Sequence, residues 1–226
     1  MRINVWDLPT RVFHWTLACA VAGSLVTALL GGNLMEWHGR LGLLILGLLV
    51  FRLVWGVIGS TYARFSSFIP TPRSLVDYLA GRWTGLGHSP LGALSVFALL
   101  ALVLWQASTG LFSNDDIAFD GPLAVLIDKS LSDQLTGLHR QGLWIIVGLV
   151  SLHVGAVVFY VVVRGNDLLR PMIRGWKESS RDAPLKRAPA WALAVAVGVA
   201  VLVAWMAAGG LLSPPPPPPP QAIPAW

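Results

Sequence analysis

The sequence predicts an all-α integral membrane protein, a bundle of four transmembrane helices followed by a fifth transmembrane helix. Of its 226 residues, 55% are hydrophobic and only 12% are charged, whereas a typical soluble domain is about 25% charged. Five apolar stretches each approach the roughly 20 residues that cross a hydrocarbon layer about 30 Å thick. Lipid offers no hydrogen-bond partner to free backbone groups, so each stretch is predicted to be helical.

The predicted elements follow one another along the chain. The five spans cover residues 12–30, 41–58, 91–112, 143–163 and 191–212. Before the first span, Asp7 is a suitable N-cap and Pro9 is tolerated in the first helical turn. The connection 59–90 is rich in Gly, Pro and Arg, and its segment "RSLVDYLAGRW" predicts a short interfacial helix.

Basic residues predict the orientation of the spans. If the N-terminus is cytoplasmic, 13 of the 16 Lys and Arg residues lie at or near the inner side, in agreement with the positive-inside rule. These are Arg2, Arg11, Arg52, Arg64, Arg73, Arg82, Arg164, Arg170, Arg174, Lys177, Arg181, Lys186 and Arg187. The connection 113–137 is then an acidic outer loop. The net charge of +5 therefore reflects topology rather than nucleic-acid binding.

Four segments are expected. Residues 1–177 form a four-helix domain, 178–190 a basic cytoplasmic linker, 191–212 the extra transmembrane helix and 213–226 a periplasmic tail. The seven consecutive prolines of that tail predict extended polyproline II structure. Cys19 is the only cysteine, which excludes an internal disulfide and a CxxCH motif for covalent haem attachment. Its place in the first span predicts a small buried hydrophobe.

Four histidines lie within or at the ends of the predicted four-helix domain. His139 and His153 are fourteen residues apart, so on one helix they lie within about 40° of each other and about 21 Å apart along the axis. His38 begins the second span near the outer surface, and His14 begins the first span near the inner surface. Each half of the membrane thus receives two imidazoles from different helices.

This arrangement favours two pairs of axial ligands for haem iron, His38 with His139 and His14 with His153. A single intramembrane histidine is as often a packed side chain as a ligand, but four such residues at two levels favour ligation. Zinc would need a tight tetrahedral cluster, and a proton relay would need carboxylates that the spans lack. The inner pair is the less well matched, since His14 is predicted about 10 Å closer to the inner boundary than His153.

Two further residues leave alternatives open. Arg52 lies fourteen residues after His38, on nearly the same helix face and about 21 Å further in. There it would either pair with a haem propionate or extend to the inner interface. His88, at the start of the third span, would either lie near a propionate or a quinone, or cap the interface.

Several motifs resemble those of the bacterial cytochrome b561 family, which includes the cytochrome b subunits of nickel–iron hydrogenases. They are "VWDLPTRVFHW", "WHGRLG", "GHSPLGALSVFALL" and "LHRQGLWIIVGLVSLHVGAVVFY", within about residues 5–177. The resemblance implies two non-covalent b-type haems with bis-histidine ligation by His14, His38, His139 and His153. It also implies a bacterial inner-membrane location and electron exchange between the quinone pool and a partner at the outer face.

We therefore expect a di-haem cytochrome b of a respiratory chain that transfers electrons across the bilayer. Its expected partners are quinone and a periplasmic redox protein, either a basic c-type cytochrome attracted by the acidic loop or a hydrogenase-like protein. A superoxide:quinone oxidoreductase is the first alternative, with Arg40, Lys129 and Arg140 as candidates for steering the anion. A non-redox transporter or assembly protein is the second. Whether the chain is an enzyme in its own right stays open.

Overall fold

The computed structural model describes residues 2–178 and 186–213, which form a bundle of long helices. Along the chain lie β1 (Arg2–Asn4), α1 (Leu8–Leu30), α2 (Met35–Ile58), α3 (Pro72–Leu79), α4 (Pro90–Gly110), α5 (Lys129–Val162), α6 (Leu169–Arg174), β2 (Trp176–Glu178) and α7 (Ala190–Ala207). Helices α1, α2, α4, α5 and α7 are long and apolar enough to cross a membrane. The predicted all-α membrane fold is confirmed. Arg181, most of the predicted linker and nearly all of the proline-rich tail lie outside the described residues.

Three of the spanning helices, α1, α2 and α5, begin four or more residues earlier than hydropathy predicts; α2 begins at Met35 and not at residue 41. Helix α5 begins at Lys129, so residues 129–137 of the predicted outer loop are its first turns, and the Asp128 side chain accepts a hydrogen bond from the N–H of Leu131 (3.0 Å). Helix α1 begins at Leu8 after the predicted N-cap Asp7. Polar side chains lower the hydropathy of such first turns but are favourable for capping. Hydropathy therefore finds the apolar centre of a span and misses its polar end.

Smaller elements bear differently on the predictions. Helix α3 confirms the short helix predicted in the second connection. The antiparallel pairing of β1 with β2 was not predicted, because strands of three residues carry no detectable period of two. Cys19 was predicted to be buried, and this was wrong: its side chain is exposed on the surface of the bundle.

The centre of the bundle is α2, which packs against α1, α4 and α7. The first core cluster joins Ala20 of α1, Ile45 and Leu49 of α2, and Val103 of α4. Large apolar side chains elsewhere face outward, such as Leu152 of α5, which is 68% exposed. A surface this apolar would aggregate in water and is suited to contact with lipid.

Helix α7 packs on α2 through small residues. Ala192, Ala196, Ala200 and Ala207 are all buried on one face of α7. A β-carbon added at Gly47 of α2 would lie 3.5 Å from the Cβ of Ala204. Small residues at intervals of about four bring two backbones close together, which is how helices associate in lipid. The predicted fifth helix is therefore attached to the four-helix domain along its length.

We call the end of the bundle where α1 and α4 begin and α2 and α5 end the basic end, and the opposite end the acidic end. At the basic end, Asp7 joins three elements. Its Oδ1 accepts a hydrogen bond from the N–H of Thr10 (2.8 Å), and its Oδ2 accepts bonds from Trp55 Nε1 (3.0 Å) of α2 and from the Ser60 hydroxyl. One carboxylate thereby fixes the start of α1 against the end of α2.

Replacing Asp7 by alanine is expected to destabilise the basic end by about 2–4 kcal/mol, because the cap is lost and the buried Trp55 indole N–H loses its acceptor. Thermal denaturation of the protein in detergent measures the change. Asp7→Asn keeps one acceptor oxygen, so its melting temperature should lie between those of the unchanged protein and Asp7→Ala. Thr71→Ala, which removes only the exposed cap of α3, serves as control. Equal melting temperatures for Asp7→Ala and Thr71→Ala would contradict the assignment.

Candidate cofactor site

Two histidines face each other at the acidic end. His38 lies in the first turn of α2, and His139 lies ten residues into α5. Their ring centres are 5.9 Å apart, with the ring planes at 88°. Both line a cavity of about 440 Å³ between α1, α2, α4 and α5. The structure thus brings this predicted pair together.

Neighbouring helices hold the Nδ1 atoms of this pair. His38 Nδ1 lies 3.0 Å from the carbonyl oxygen and 3.2 Å from the hydroxyl of Ser24 on α1. His139 Nδ1 lies 3.0 Å from the carbonyl oxygen of Gln106 and 3.3 Å from the Thr109 hydroxyl, both on α4. A carbonyl oxygen can only accept, so each Nδ1 carries the hydrogen. Nε2 is then the nitrogen that has a lone pair for a metal.

The second predicted pair lies toward the basic end. His14 and His153 are close enough to interact electrostatically. His14 lies six residues from the start of α1 and His153 nine residues from the end of α5, a difference of only about 4.5 Å along the axes. The earlier start of α1 removes more than half of the mismatch that the sequence predicted.

The polar surroundings of this second pair are sparse. His153 Nδ1 lies 3.2 Å from the Ser95 hydroxyl of α4. His14 packs edge-on against Trp15, with ring centres 5.1 Å apart. Its Nδ1 is buried and has no hydrogen-bond partner within residues 2–178 and 186–213. The two pairs therefore differ in how strongly their rings are held.

Arg52 is buried at the basic end and does not extend to the surface. Its side chain is 2% exposed, its Nη1 donates to the carbonyl oxygen of Ala63 (3.0 Å), and its Cζ lies 4.6 Å from the centre of the Phe65 ring. The bond to Ala63 uses one of five N–H donors. Pairing of Arg52 with a propionate stays a prediction.

His88 is enclosed by aromatic rings in the connection before α4. The ring centres of Trp6 and Phe68 lie 4.5 and 4.2 Å from that of His88. Burial lowers the pKa of His88 to about 3, and the nearby Arg52 and His14 contribute in the same direction. The ring is therefore neutral at physiological pH. The cap of α4 is Ser89 rather than His88, and the buried His88 Nδ1 has no partner among the described residues.

The residues at the acidic end fit a haem. An iron that binds one nitrogen of each ring at about 2 Å would hold the ring centres roughly 6 Å apart, close to the observed 5.9 Å. Gly42 lines the cavity, and a β-carbon there would meet nothing within 4 Å. A β-carbon at Gly110 would lie 2.9 Å from His139 Cε1, so a larger residue would displace that ring. Among the described residues, no three His, Cys, Asp or Glu side chains gather as a metal cluster.

Most carboxylates of the acidic connection between α4 and α5 bond to groups of that connection or of the first turns of α5. Asp115 Oδ1 accepts three backbone N–H bonds at 2.9 Å, from residues 117–119, and bonds from Phe119, Ile117 and Ala118 lower the pKa of Asp115. Lys129 pairs with Asp116 (2.5 Å) and with Asp133. Asp120 is exposed and has no side-chain hydrogen bond or ion pair in the described part of the chain. It is the carboxylate that can be changed without altering the loop.

Comparison with known proteins identifies the relatives of this arrangement. Residues 5–175 match the family model described as prokaryotic cytochrome b561. The "Probable Ni/Fe-hydrogenase 1 B-type cytochrome subunit" of Escherichia coli (strain K12) is 20% identical, over 76% of this chain and 89% of the relative. The corresponding subunit of Rhizobium leguminosarum bv. viciae is 25% identical (76% and 87%), and that of Azotobacter vinelandii is 22% identical (80% and 91%). No solved structure matches the chain.

Proposed function

Because its family model matches residues 5–175, the chain belongs to the prokaryotic cytochrome b561 family, and we propose that it is a di-haem cytochrome that moves electrons across the bacterial inner membrane. The family and the five apolar helices make it a multi-pass membrane b-type cytochrome. The observation that supports the two-haem proposal is that His139 and His153 lie at two levels of α5, fourteen residues apart, each with a histidine of another helix near it. Both pairs join α5 to another helix of the bundle.

The chain's own residues bind and separate the cofactors. His38 and His139 would hold one haem at the acidic end, and His14 and His153 would hold the other toward the basic end. When bound, the haems supply one-electron redox chemistry. The apolar helices keep water away from both levels, and α5 sets the spacing because it contributes one ligand to each. Arg52, which is buried at the basic end, would pair with a propionate there.

The charge distribution supports an orientation with the basic end in the cytoplasm. The connections at that end carry most of the arginine and lysine residues, while the connection 111–128 at the opposite end carries aspartates. The relatives' names include Ni/Fe-hydrogenase, which supports a hydrogenase-like protein at the periplasmic face as one partner. A basic c-type cytochrome is the other, since an acidic surface attracts it.

Quinone would exchange electrons at the basic end. His88 lines a cavity of about 210 Å³ together with Phe68 and Trp83. Its Nδ1, which has no partner among the described residues, is suited to a hydrogen bond with a quinone oxygen. His88 also lies within electrostatic reach of His14. The cavity therefore combines an aromatic wall, a neutral imidazole and proximity to the inner ligand pair.

The two alternatives receive less support. Superoxide steering would need free positive charge at the acidic end. Arg40 pairs with Glu36, and Lys129 pairs with Asp116 and Asp133, so that among the described residues only Arg140 of the three candidates has no ion pair. A non-redox transporter or assembly role has no support in the family match, which describes a cytochrome.

Haem content tests the pairing. His38→Ala should remove the haem at the acidic end and His153→Ala the one at the basic end, each lowering haem per protein toward half. His88→Ala should retain both haems but slow quinone reduction. Haem extraction and reduced-minus-oxidised spectra measure the content. Full haem content in either ligand variant would refute the pairing, and an unchanged rate in His88→Ala would refute the quinone site.

Alkaline phosphatase fusions test the orientation. A fusion after Ser213, beyond α7, is expected to be active because an odd number of spans separates it from a cytoplasmic N-terminus. A fusion after Asn166, between α5 and α6, should be inactive. The opposite pattern would invert the assignment of both ends.

Charge reversal at Asp120 tests docking of a basic partner. Asp120→Lys should slow electron exchange with a basic c-type cytochrome at low ionic strength, and Asp120→Asn should slow it less. The differences should shrink between 0.01 and 0.15 M salt, as the Debye length falls from about 30 to about 8 Å. Asp167→Lys, an equal change at the basic end, is the control. Equal rates for both lysine variants in stopped-flow measurements would rule out docking at this loop.

A further inference from the structure

The two histidine pairs differ in the acceptors that their Nδ1 atoms meet. At the acidic end, both rings donate to main-chain carbonyl oxygens at 3.0 Å, His38 to Ser24 and His139 to Gln106. A hydroxyl oxygen lies within 3.3 Å of each Nδ1 as well. The Nδ1 of each of these rings therefore has two oxygen neighbours.

The pair toward the basic end has fewer acceptors. His153 Nδ1 has the Ser95 hydroxyl at 3.2 Å, and a hydroxyl is a weaker acceptor than a peptide carbonyl, because resonance in the peptide group places more negative charge on the carbonyl oxygen. His14 Nδ1 is buried, and the described residues offer it no partner. The four ligands thus form one strongly held pair and one weakly held pair.

A hydrogen bond from Nδ1–H makes an imidazole a more basic ligand, because the acceptor draws the ring proton toward itself and leaves more electron density at Nε2. A more electron-rich ligand favours the oxidised, more positively charged iron and lowers its reduction potential. Nearby charges do not account for a difference in potential between the two pairs, because an arginine lies at each level. Arg140 lines the cavity of His38 and His139. Arg52 lies at the basic end, as the second pair does, and Asp7 is within electrostatic reach of Arg52.

We infer that the Nδ1 hydrogen bonds order the two reduction potentials: the haem that His38 and His139 would hold has the lower potential, and the haem that His14 and His153 would hold has the higher one. The inference rests on the proposed function.

Single-haem variants assign the potentials. Redox titration of His38→Ala reports the haem of the basic end, and titration of His153→Ala reports that of the acidic end. The haem in His38→Ala should have the higher potential. At one fixed ambient potential, its reduced-to-oxidised ratio should exceed that in His153→Ala about tenfold or more, where tenfold is 59 mV for one electron. The reverse order or equal potentials would overturn the inference.

Substitutions of the acceptors test the cause. In the two-haem protein, Ser95→Ala should raise the higher of the two potentials, with roughly a threefold change in the redox ratio, because His153 loses its acceptor. Ser95→Thr keeps the hydroxyl and should leave it unchanged. Ser108→Ala, on the same helix, is the control, since within residues 2–178 and 186–213 the Ser108 hydroxyl bonds only to the carbonyl oxygen of Leu104. If Ser95→Ala does not fold, Thr109→Val should raise the lower potential by a smaller factor, since Gln106 remains.

The outcomes separate this inference from the proposed function. If the ligand variants do not each lose one haem, the pairing itself fails. If each loses one haem but the potentials stand in the reverse order, or if neither Ser95→Ala nor Thr109→Val moves a potential, only the inferred role of the Nδ1 bonds fails.

Discussion

The arrangement of the bundle depends on how the two facing imidazoles of the acidic end, His38 and His139, satisfy their Nδ1–H groups in a medium that offers no water. Lipid cannot accept this hydrogen bond, so a neighbouring helix must. Helix α1 provides Ser24 for His38 of α2, and α4 provides Gln106 and Thr109 for His139 of α5. Each such bond fixes the rotation and the register of one helix against the next. The hydrogen bonds of these two histidines therefore help to hold the four helices against one another.

Close approach of the helices relies on small residues at a few positions. Gly110 lets α4 pass His139 with no room for a β-carbon. At Gly47 of α2, where α7 crosses, an added β-carbon would be in ordinary van der Waals contact with Ala204, 3.5 Å away. Because apolar side chains gain little by leaving lipid for a protein surface, tight packing at such positions and polar contacts must hold the bundle together. Gly42, by contrast, lines the cavity, and a β-carbon added there would meet no other residue within 4 Å.

The two ends of the bundle handle charge in different ways. At the basic end, Asp7 and Arg52 are engaged with buried polar groups of the connections and fix the start of α1 and the end of α2. At the acidic end, Asp115 and the Lys129 pairs organise an exposed loop. The aspartates that make this surface acidic thus also fix the conformation of its loop. This is why Asp120, which has no such structural bond, is the informative position for charge at that surface.

The sequence by itself determined the membrane class and the number of spans, and it singled out four histidines as candidate ligands, because hydropathy over twenty residues and a spacing of fourteen on a helix are local properties. It also pointed to the N-cap Asp7. It did not determine where α2 and α5 begin, because their polar first turns carry little hydropathy signal, nor the short pairing of β1 with β2. Only the tertiary structure decided that Arg52 is buried against Ala63, that His88 is enclosed by Trp6 and Phe68, and that one histidine pair is bonded to carbonyl oxygens while the other is not. The reason is that such contacts join residues far apart in the chain, and their geometry depends on the rotation and register of whole helices.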